Sequence, residues 1–355
     1  MAKEIILGID LGTTNSLACY WQDEKVNMIP ELGENENYIL PSRLYRKKDG
    51  IFLVGNEADD IDISEYSNDS YFASFKNFMG TDKLYMVGDE TYTPVDFSAM
   101  VLKKIKENAQ MYLNEEISEA VISVPAYFND RQRSDTKKAA QLAGLKVERI
   151  INEPSAAALG YIRANGQKEG DLYDDRCLLI FDFGGGTLDV SMVETFENVV
   201  EIVSVSGDNM LGGIDFDRAI ALHFLKENGK EEKDVSPSAF NVILDSAEAV
   251  KRELSDANSA VMHVYTNEIQ GDLEITAKEL VEICSSVLKR LYRPIKEVLN
   301  NSQKELDEIT DVVMVGGSSK MPIVKRYLQK ILEFNAAVLI VDDTGEYDSS
   351  LAGCS

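Results

Sequence analysis

Two short stretches set an aspartate two residues ahead of a glycine, with threonine close behind: Asp10-Leu11-Gly12-Thr13-Thr14 and Asp182-Phe183-Gly184-Gly185-Gly186-Thr187. They lie inside "ILGIDLGTTNSLACYW" and "LLIFDFGGGTLDVSMVE", each an apolar strand, a turn and a second strand. Aligning Asp10 with Asp182 also aligns Gly12 with Gly184, at a common offset of 172 residues. Glycine weakens a strand and gives it nothing to pack, so three in a row between two strands ask for a reason. Successive N–H groups in such a turn form an anion-binding nest, and absent side chains let phosphate oxygens approach the backbone. Thr13, Thr14 and Thr187 add hydroxyl donors. Asp10 and Asp182, if they face a shared point, repel unless a cation stands between them, and Mg2+ with its water is the usual cation beside phosphates. One such turn alone reads as an ordinary hairpin with Asp and Gly as turn formers. Two aligned copies favour phosphate binding.

Two further constellations are weaker. "VGGSSKMP" ends a strand and opens a helix through Gly316, Gly317 and Ser318, a place where orphan N–H groups attract phosphate, although a tight strand–helix turn explains it equally. "SAEAVKRELSDAN" spaces Glu248, Lys251, Arg252 and Ser255 along one helical stripe, beside a separate apolar stripe of Ile243, Ala247, Val250 and Leu254. The polar stripe could contact a ribose and stack Arg252 on a base. Spacing alone favours a solvated face with Glu–Lys support. The only histidines, His223 in a half-buried helical setting and His263 in an alternating strand, read as structural, which removes Ser-His-Asp hydrolases and His-rich metal enzymes.

The elements that must position these residues form an internal repeat. A second matched pair, "AVISVPAYFNDRQR" and "DVVMVGGSSKMPIVKRY", follows the two hairpins, and a looser third pair sets "INEPSAAALGY" against "EYDSSLAGCS". Two related halves, each hairpin first and α/β afterwards, follow from this order. Between the strands, Phe97, Val101, Ile105 and Ala109 share one face of a helix over 94–113 that opens at Pro94. Asn129 is the predicted N-cap of the next helix and Gly144 its C′ glycine. Thr276 and Glu279 form a capping box for a helix that continues through "LVEICSSVLKRL" until Pro294 kinks or restarts it. The polar stretch 164–176 reads as the junction of the halves. The charged loop 226–238 ends at a Ser-Pro helix start.

Composition narrows the function. The 355 residues suit two or more domains, and 44% hydrophobic with 27% charged residues is ordinary for globular chains. A net charge of −25 excludes a general nucleic-acid or anionic-membrane surface, so an anionic ligand must be held by backbone donors, a few placed cations or a metal ion. Four scattered cysteines without a Cys-x-x-Cys pair indicate neither a disulfide framework nor a zinc site, and point to a reducing cytoplasm. The start "MAKEIILGID" is too short and too soon charged for a signal peptide, and no apolar run is long enough to span a membrane.

Six ordered motifs, "GIDLGTTNS", "ISVPAYFNDRQR", "RIINEPSAAALGY", "FDFGGGTLDVS", "GDNMLGGIDFD" and "VVMVGGSSKMP", together resemble the DnaK-type heat-shock chaperones over nearly the whole chain. They are similar to that family's N-terminal ATPase domain. The short segment after "ELSDAN", with "FKNFMG" and "VGGSSKMP", looks closest to the HscC-like branch. The resemblance implies an α/β, duplicated actin-like ATPase fold with ribonuclease-H-like halves. These are two lobes around a central nucleotide cleft: lobe I over 1–165 with an insertion at about 35–115, and lobe II over 166–355 with an insertion at about 218–300.

It also implies roles at matching positions. Lys76 is the cation beside the γ-phosphate that helps place the attacking water. Asp10, Glu153, Asp182 and Asp189 hold or orient Mg2+, its waters and K+, with the metal reached mostly through water. Gly12, Thr13, Thr14, Asn15, Gly184, Gly185, Gly186, Thr187, Gly212, Gly213, Gly316, Gly317 and Ser318 cradle the phosphates of ATP or ADP. Glu248, Lys251, Arg252 and Ser255 hold adenosine, which reverses the reading from spacing. Lys320 stands where many relatives stack an arginine on adenine, and Asp348 lies in a poor match to the last adenine-side segment. Pro125, Arg133 and Glu153 relay nucleotide state, and Arg149 matches a J-domain co-chaperone contact; a nucleotide-exchange factor is the other expected partner. The expected protein is a cytoplasmic monomer that hydrolyses ATP slowly. The chain ends before a linker and peptide-binding domain, so client peptides are held only by a C-terminal domain that is missing here. A sugar or acetate kinase, or a filament-forming actin-like ATPase, are the alternatives. The first would need a catalytic Asp on a substrate loop, which is not found in the sequence, and the second would sediment with ATP.

Overall fold

The computed structural model describes residues 5–23, 25–31, 37–59, 70–164, 173–197, 199–332 and 339–340. Contacts divide the chain into two compact units, Met1–Ala156 and Ala157–Ser355.

The first unit opens with a meander: β1 (Ile6–Asp10), β2 (Asn15–Gln22) and β3 (Lys25–Met28). Short elements follow: β4 (Leu40–Pro41), β5 (Leu44–Arg46), β6 (Phe52–Val54), α1 (Asn56–Asp59), β7 (Tyr71–Phe72), a 3-10 turn at Phe75–Phe78, β8 (Tyr85–Val87) and β9 (Glu90–Tyr92). Then come α2 (Pro94–Leu113), β10 (Glu119–Val124), α3 (Asp130–Leu142) and β11 (Lys146–Asn152). The main sheet runs β11-β10-β1-β2-β3, with β1 parallel to β10 and antiparallel to β2. Thr93 caps α2 in a box with Asp96, Pro94 sits at the N-terminus where its missing N–H costs nothing, and Asn114 closes the helix at φ 52°. The expected apolar face, Phe97, Val101, Ile105 and Ala109, is fully in the core. Asn129 and Gln132 box the start of α3, and Gly144 follows it at φ 76°.

The helix α4 (Glu153–Ala164) carries the chain across the boundary of the units. In the second unit β12 (Tyr173–Phe183), β13 (Leu188–Glu197) and β14 (Val199–Asp208) form a second meander. Next are α5 (Gly213–Glu227), α6 (Pro237–Glu253), β15 (Ser259–Tyr265), β16 (Gln270–Thr276), α7 (Ala277–Ile283), α8 (Ser285–Ser302), β17 (Asp311–Val315), α9 (Pro322–Leu332) and β18 (Leu339–Ile340). The sheet order is β14-β13-β12-β17-β18, with β12 antiparallel to β13 and parallel to β17. This repeats the five-strand path of the first sheet, to which β4 adds a short pairing with β2 that has no counterpart here among the described residues. Asp10 lies opposite Ser123 on its parallel neighbour, and Asp182 lies opposite Val315 on its own, so β17 follows β10 at an offset of 192.

Two expectations give way. The helix opened by Thr276 stops at Cys284 (φ −91°, ψ 11°) and restarts, while Pro294 lies inside α8. The break falls at Cys284, which leaves helical geometry, and α8 is held through Pro294 by a buried face of Val287, Leu288, Leu291, Ile295 and Val298. After β17 the chain makes a 3-10 turn at Gly317–Lys320, and the α-helix begins only at Pro322. The dipole of a long helix therefore does not start at Gly317. Segment 346–355 with Asp348, and 165–172 of the junction, lie outside the described residues.

Candidate nucleotide site

In the first unit, β1 delivers Asp10 to the end of the sheet, where the Ser123 hydroxyl donates to its Oδ1 at 3.0 Å. The turn after it is tight. A Cβ on Gly12 would stand 2.0 Å from the Asn15 carbonyl oxygen, so glycine is required there by the turn itself. Asn15 is exposed at the head of β2. Thr13 donates to Asn77 Oδ1 at 3.2 Å, tying this turn to the 3-10 segment that bears Lys76. The Thr14 hydroxyl is buried with no hydrogen-bond partner among the described residues. A buried hydroxyl left so costs free energy and marks a place where a ligand or water is expected.

Lys76 is fixed from two sides. Phe75 packs on Phe97 at 5.8 Å between ring centroids, and the Lys76 ammonium lies 5.8 Å from the Phe128 ring. Its Nζ stands 3.0 Å from Glu153 Oε1, with side chains only 9% and 15% exposed. Burial pushes the Glu153 carboxyl up, the Lys76 cation opposes that, and the Asp10 charge adds to it. Glu153 starts α4 directly after Asn152, whose side-chain oxygen accepts from Arg133 at 2.7 Å. Arg133 also donates to the carbonyls of Phe128 (2.9 Å) and Ala126 (3.3 Å), in the turn that begins at buried Pro125. Pro125, Arg133 and Glu153 thus belong to one connected group, completed by Asn152. Arg149 is exposed on β11, away from this network's bonds.

In the second unit, Asp182 is the penultimate residue of β12, in register with buried Asp189 on β13. The glycines between them carry the turn: the Gly184 N–H donates to the Thr187 carbonyl at 3.1 Å, and Gly213 and Ile214 donate to the carbonyls of Gly184 (3.1 Å) and Gly185 (2.9 Å). The start of α5 is therefore stitched onto the triple-glycine turn. A Cβ on Gly212 would sit 2.2 Å from the Gly185 oxygen, and one on Gly316 (φ 84°) 2.6 Å from the Phe183 oxygen. Those two glycines serve close packing of backbone. Gly184 and Gly317 differ: a Cβ would meet one atom at 3.9 Å in the first case and nothing within 4 Å in the second. Space beside them is left clear without an internal need for it.

The α6 stripe does not behave as one face. Glu248 and Arg252 pair at 2.7 Å on the surface, and the Ser255 hydroxyl reaches the Lys251 carbonyl at 3.4 Å just past the helix. Lys251 instead turns inward, 8% exposed, to Asp217 at 2.7 Å and the Gly213 carbonyl at 3.2 Å. The expected Glu–Lys support is absent because the lysine has a buried carboxylate to meet. Ser318 is buried and Lys320 exposed. Sequence reading missed Ser123, Asn77, Asn152 and Asp217. Only Asp217 left a signal, a carboxylate inside the α5 stripe of Gly213, Phe216, Ile220, Ala221 and Phe224.

Each unit by itself offers groups that suit a hydrated cation and phosphate: in the first, Asp10 and the buried Thr14 hydroxyl, which has no partner among the described residues, and in the second, Asp182 with Asp189 and the clear backbone beside Gly184 and Gly317. Among the described residues no three His, Cys, Asp or Glu converge on their own. Mg2+ ordinarily takes one or two carboxylates with phosphate and water completing its shell. The sequence model of the Hsp70 protein family matches residues 6–344.

Proposed function

Because the chain belongs to the Hsp70 family and carries its nucleotide-binding domain, on the duplicated actin-like ATPase fold, we propose that it binds Mg-ATP through the two glycine turns and hydrolyses it. The observation that carries this reading is the buried Lys76–Glu153 pair, joined to the Asp10 turn through Asn77 and Thr13. Members of the family are ATPases that work with J-domain proteins, exchange factors and client peptides. The finer assignment to the HscC-like branch rests on the segment after "ELSDAN" together with "FKNFMG" and "VGGSSKMP".

Hydrolysis here is positioning plus electrostatics, with no covalent intermediate. Lys76, held by Glu153 and Phe128, offsets charge developing on the transferred phosphoryl group and orients the attacking water. Asp10, Asp182 and Asp189 would hold Mg2+, mostly through water, and when bound the ion would supply charge neutralisation of the phosphates, with K+ as an accompanying cation. Thr13, Thr14, Thr187 and the backbone at Gly184–Gly186, Gly212, Gly213, Gly316, Gly317 and Ser318 bind phosphates. Glu248, Lys251, Arg252, Ser255 and Lys320 receive adenosine. Pro125, Arg133 and Glu153 report nucleotide state, since Arg133 bridges the Pro125 turn and Asn152. The Arg149 region receives a J-domain partner. No helix among the described residues is long and apolar enough to cross a membrane, and the scattered cysteines support a cytoplasmic setting.

The test is phosphate release from Mg-ATP by the purified chain with no acceptor present. Release in water supports the reading. Transfer to a sugar or acetate, or pelleting that depends on ATP, would replace it.

A further inference from the structure

We propose that Asp217 is a positioning residue for nucleotide binding: its carboxylate aims Lys251 at the glycine segments of the second unit. This rests on Lys251 contacting nucleotide. Asp217 stands in the apolar stripe of α5 and is 6% exposed, and Lys251 reaches it from the neighbouring α6 with Nζ 2.7 Å from Oδ1. The same ammonium donates to the Gly213 carbonyl. A Cβ placed on Gly213 would meet Ser318 Oγ at 2.5 Å, Lys251 Nζ at 3.2 Å and Gly185 Cα at 3.7 Å. The ammonium therefore stands where three candidate phosphate segments come together: the triple-glycine turn, the start of α5, and 316–320.

Nothing else in α6 accounts for that placement. Lysine is a point charge on a flexible four-carbon stem, and without a fixed partner it goes to water. Its neighbour Arg252 does so, 75% exposed beside Glu248. Burial also works against the carboxylate of the pair. Burial pushes the Asp217 carboxyl up to about 6 despite Lys251 and Arg252, with Glu248 adding to the rise. Desolvation thus outweighs the attraction of the lysine for this carboxylate. A buried pair in which desolvation works against the carboxylate, yet which fixes a cation against the Gly213 carbonyl and beside Gly185 and Ser318, is explained by orientation.

The experiment is a double-mutant cycle read by ADP binding to the full chain, with Asp217→Asn, Lys251→Met and both together, and with melting of each ligand-free protein. Each single change is expected to lower affinity about tenfold. The double variant is expected to bind no worse than Lys251→Met, and ligand-free Asp217→Asn to melt no lower than the parent. Unchanged affinity in Asp217→Asn, or losses that add in the double variant, would overturn the inference while leaving Lys251 as a nucleotide contact. Unchanged affinity in Lys251→Met would remove that contact, and the inference with it. Should Asp217→Asn not fold, ADP binding between pH 8 and pH 5.5 replaces it. The parent should then lose affinity relative to Lys251→Met as Asp217, faced by Lys251, Glu248, Arg252 and Cys284, takes up its proton. Equal pH dependence in the two proteins contradicts the proposal.

Discussion

Two glycines of the same candidate site exist for opposite reasons, and substitution separates them. Gly316 at φ 84° has carbonyl backbone 2.6 Å from where a Cβ would go, so Gly316→Ala is expected to cost about 1–3 kcal/mol in thermal unfolding. Gly184 has clear space, so Gly184→Ala should change stability by less than about 0.5 kcal/mol while weakening nucleotide binding. An alanine at Gly184 that binds nucleotide normally would end its role as a phosphate contact. Asp217 gives a pH signature as well. Its carboxyl titrates near 6 in the fold against an ordinary 3.8, so between these values the folded state holds the extra proton. Stability from this group is therefore undiminished below pH 3.8, falls as pH rises to about 6, and stays lowered above. Asp217→Asn should flatten melting temperature against pH in that window. At this scale the two glycine turns with Asp10 and Asp182 were legible in the sequence, while the role proposed for Lys76 came from the family resemblance alone. Which glycine packs and which stays clear was not legible, since that depends on backbone arriving from Phe183 or Gly185.

The short 3-10 element carrying Lys76 has too few residues to hold itself in place, and depends on an aromatic cluster around Phe97. Phe52, Phe72, Phe75, Tyr85 and Tyr92 surround that fully buried ring at 4.7–6.0 Å. Phe97→Ala is expected to cost about 3–5 kcal/mol and to reduce hydrolysis more than nucleotide binding. Equal losses of both would show that Lys76 does not depend on this support. Asn129→Ala, which removes the cap of α3, should cost about 1 kcal/mol, measurable by denaturant unfolding. Periodicity and capping residues are enough to place α2, α3 and the start of α6 from the sequence. The break at Cys284 and the 3-10 turn at Gly317 were not readable, because neither carries a strong local stop; tertiary packing of α8 and a glycine at positive φ decide them.

For the molecule as a whole, the duplication was legible from one offset of 172 and is seen as two sheets whose five-strand paths match in order. The long-range polar pairs were not, because Lys76–Glu153 and Lys251–Asp217 join residues 77 and 34 apart whose meeting depends on the whole topology. With a net charge of −25 the chain has no general positive field, so under the proposed function nucleotide charge would be offset by a few placed cations. Mg-ADP at a hundred times its Kd should raise unfolding free energy by about 2.7 kcal/mol. Lys76→Ala bears on the central claim most directly. Single-turnover phosphate release should fall by at least about a hundredfold, while ATP affinity measured on the same protein stays within about threefold. Release at the parental rate, or a loss of binding as large as the loss of hydrolysis, would contradict the assignment of Lys76 to the transferred phosphoryl group.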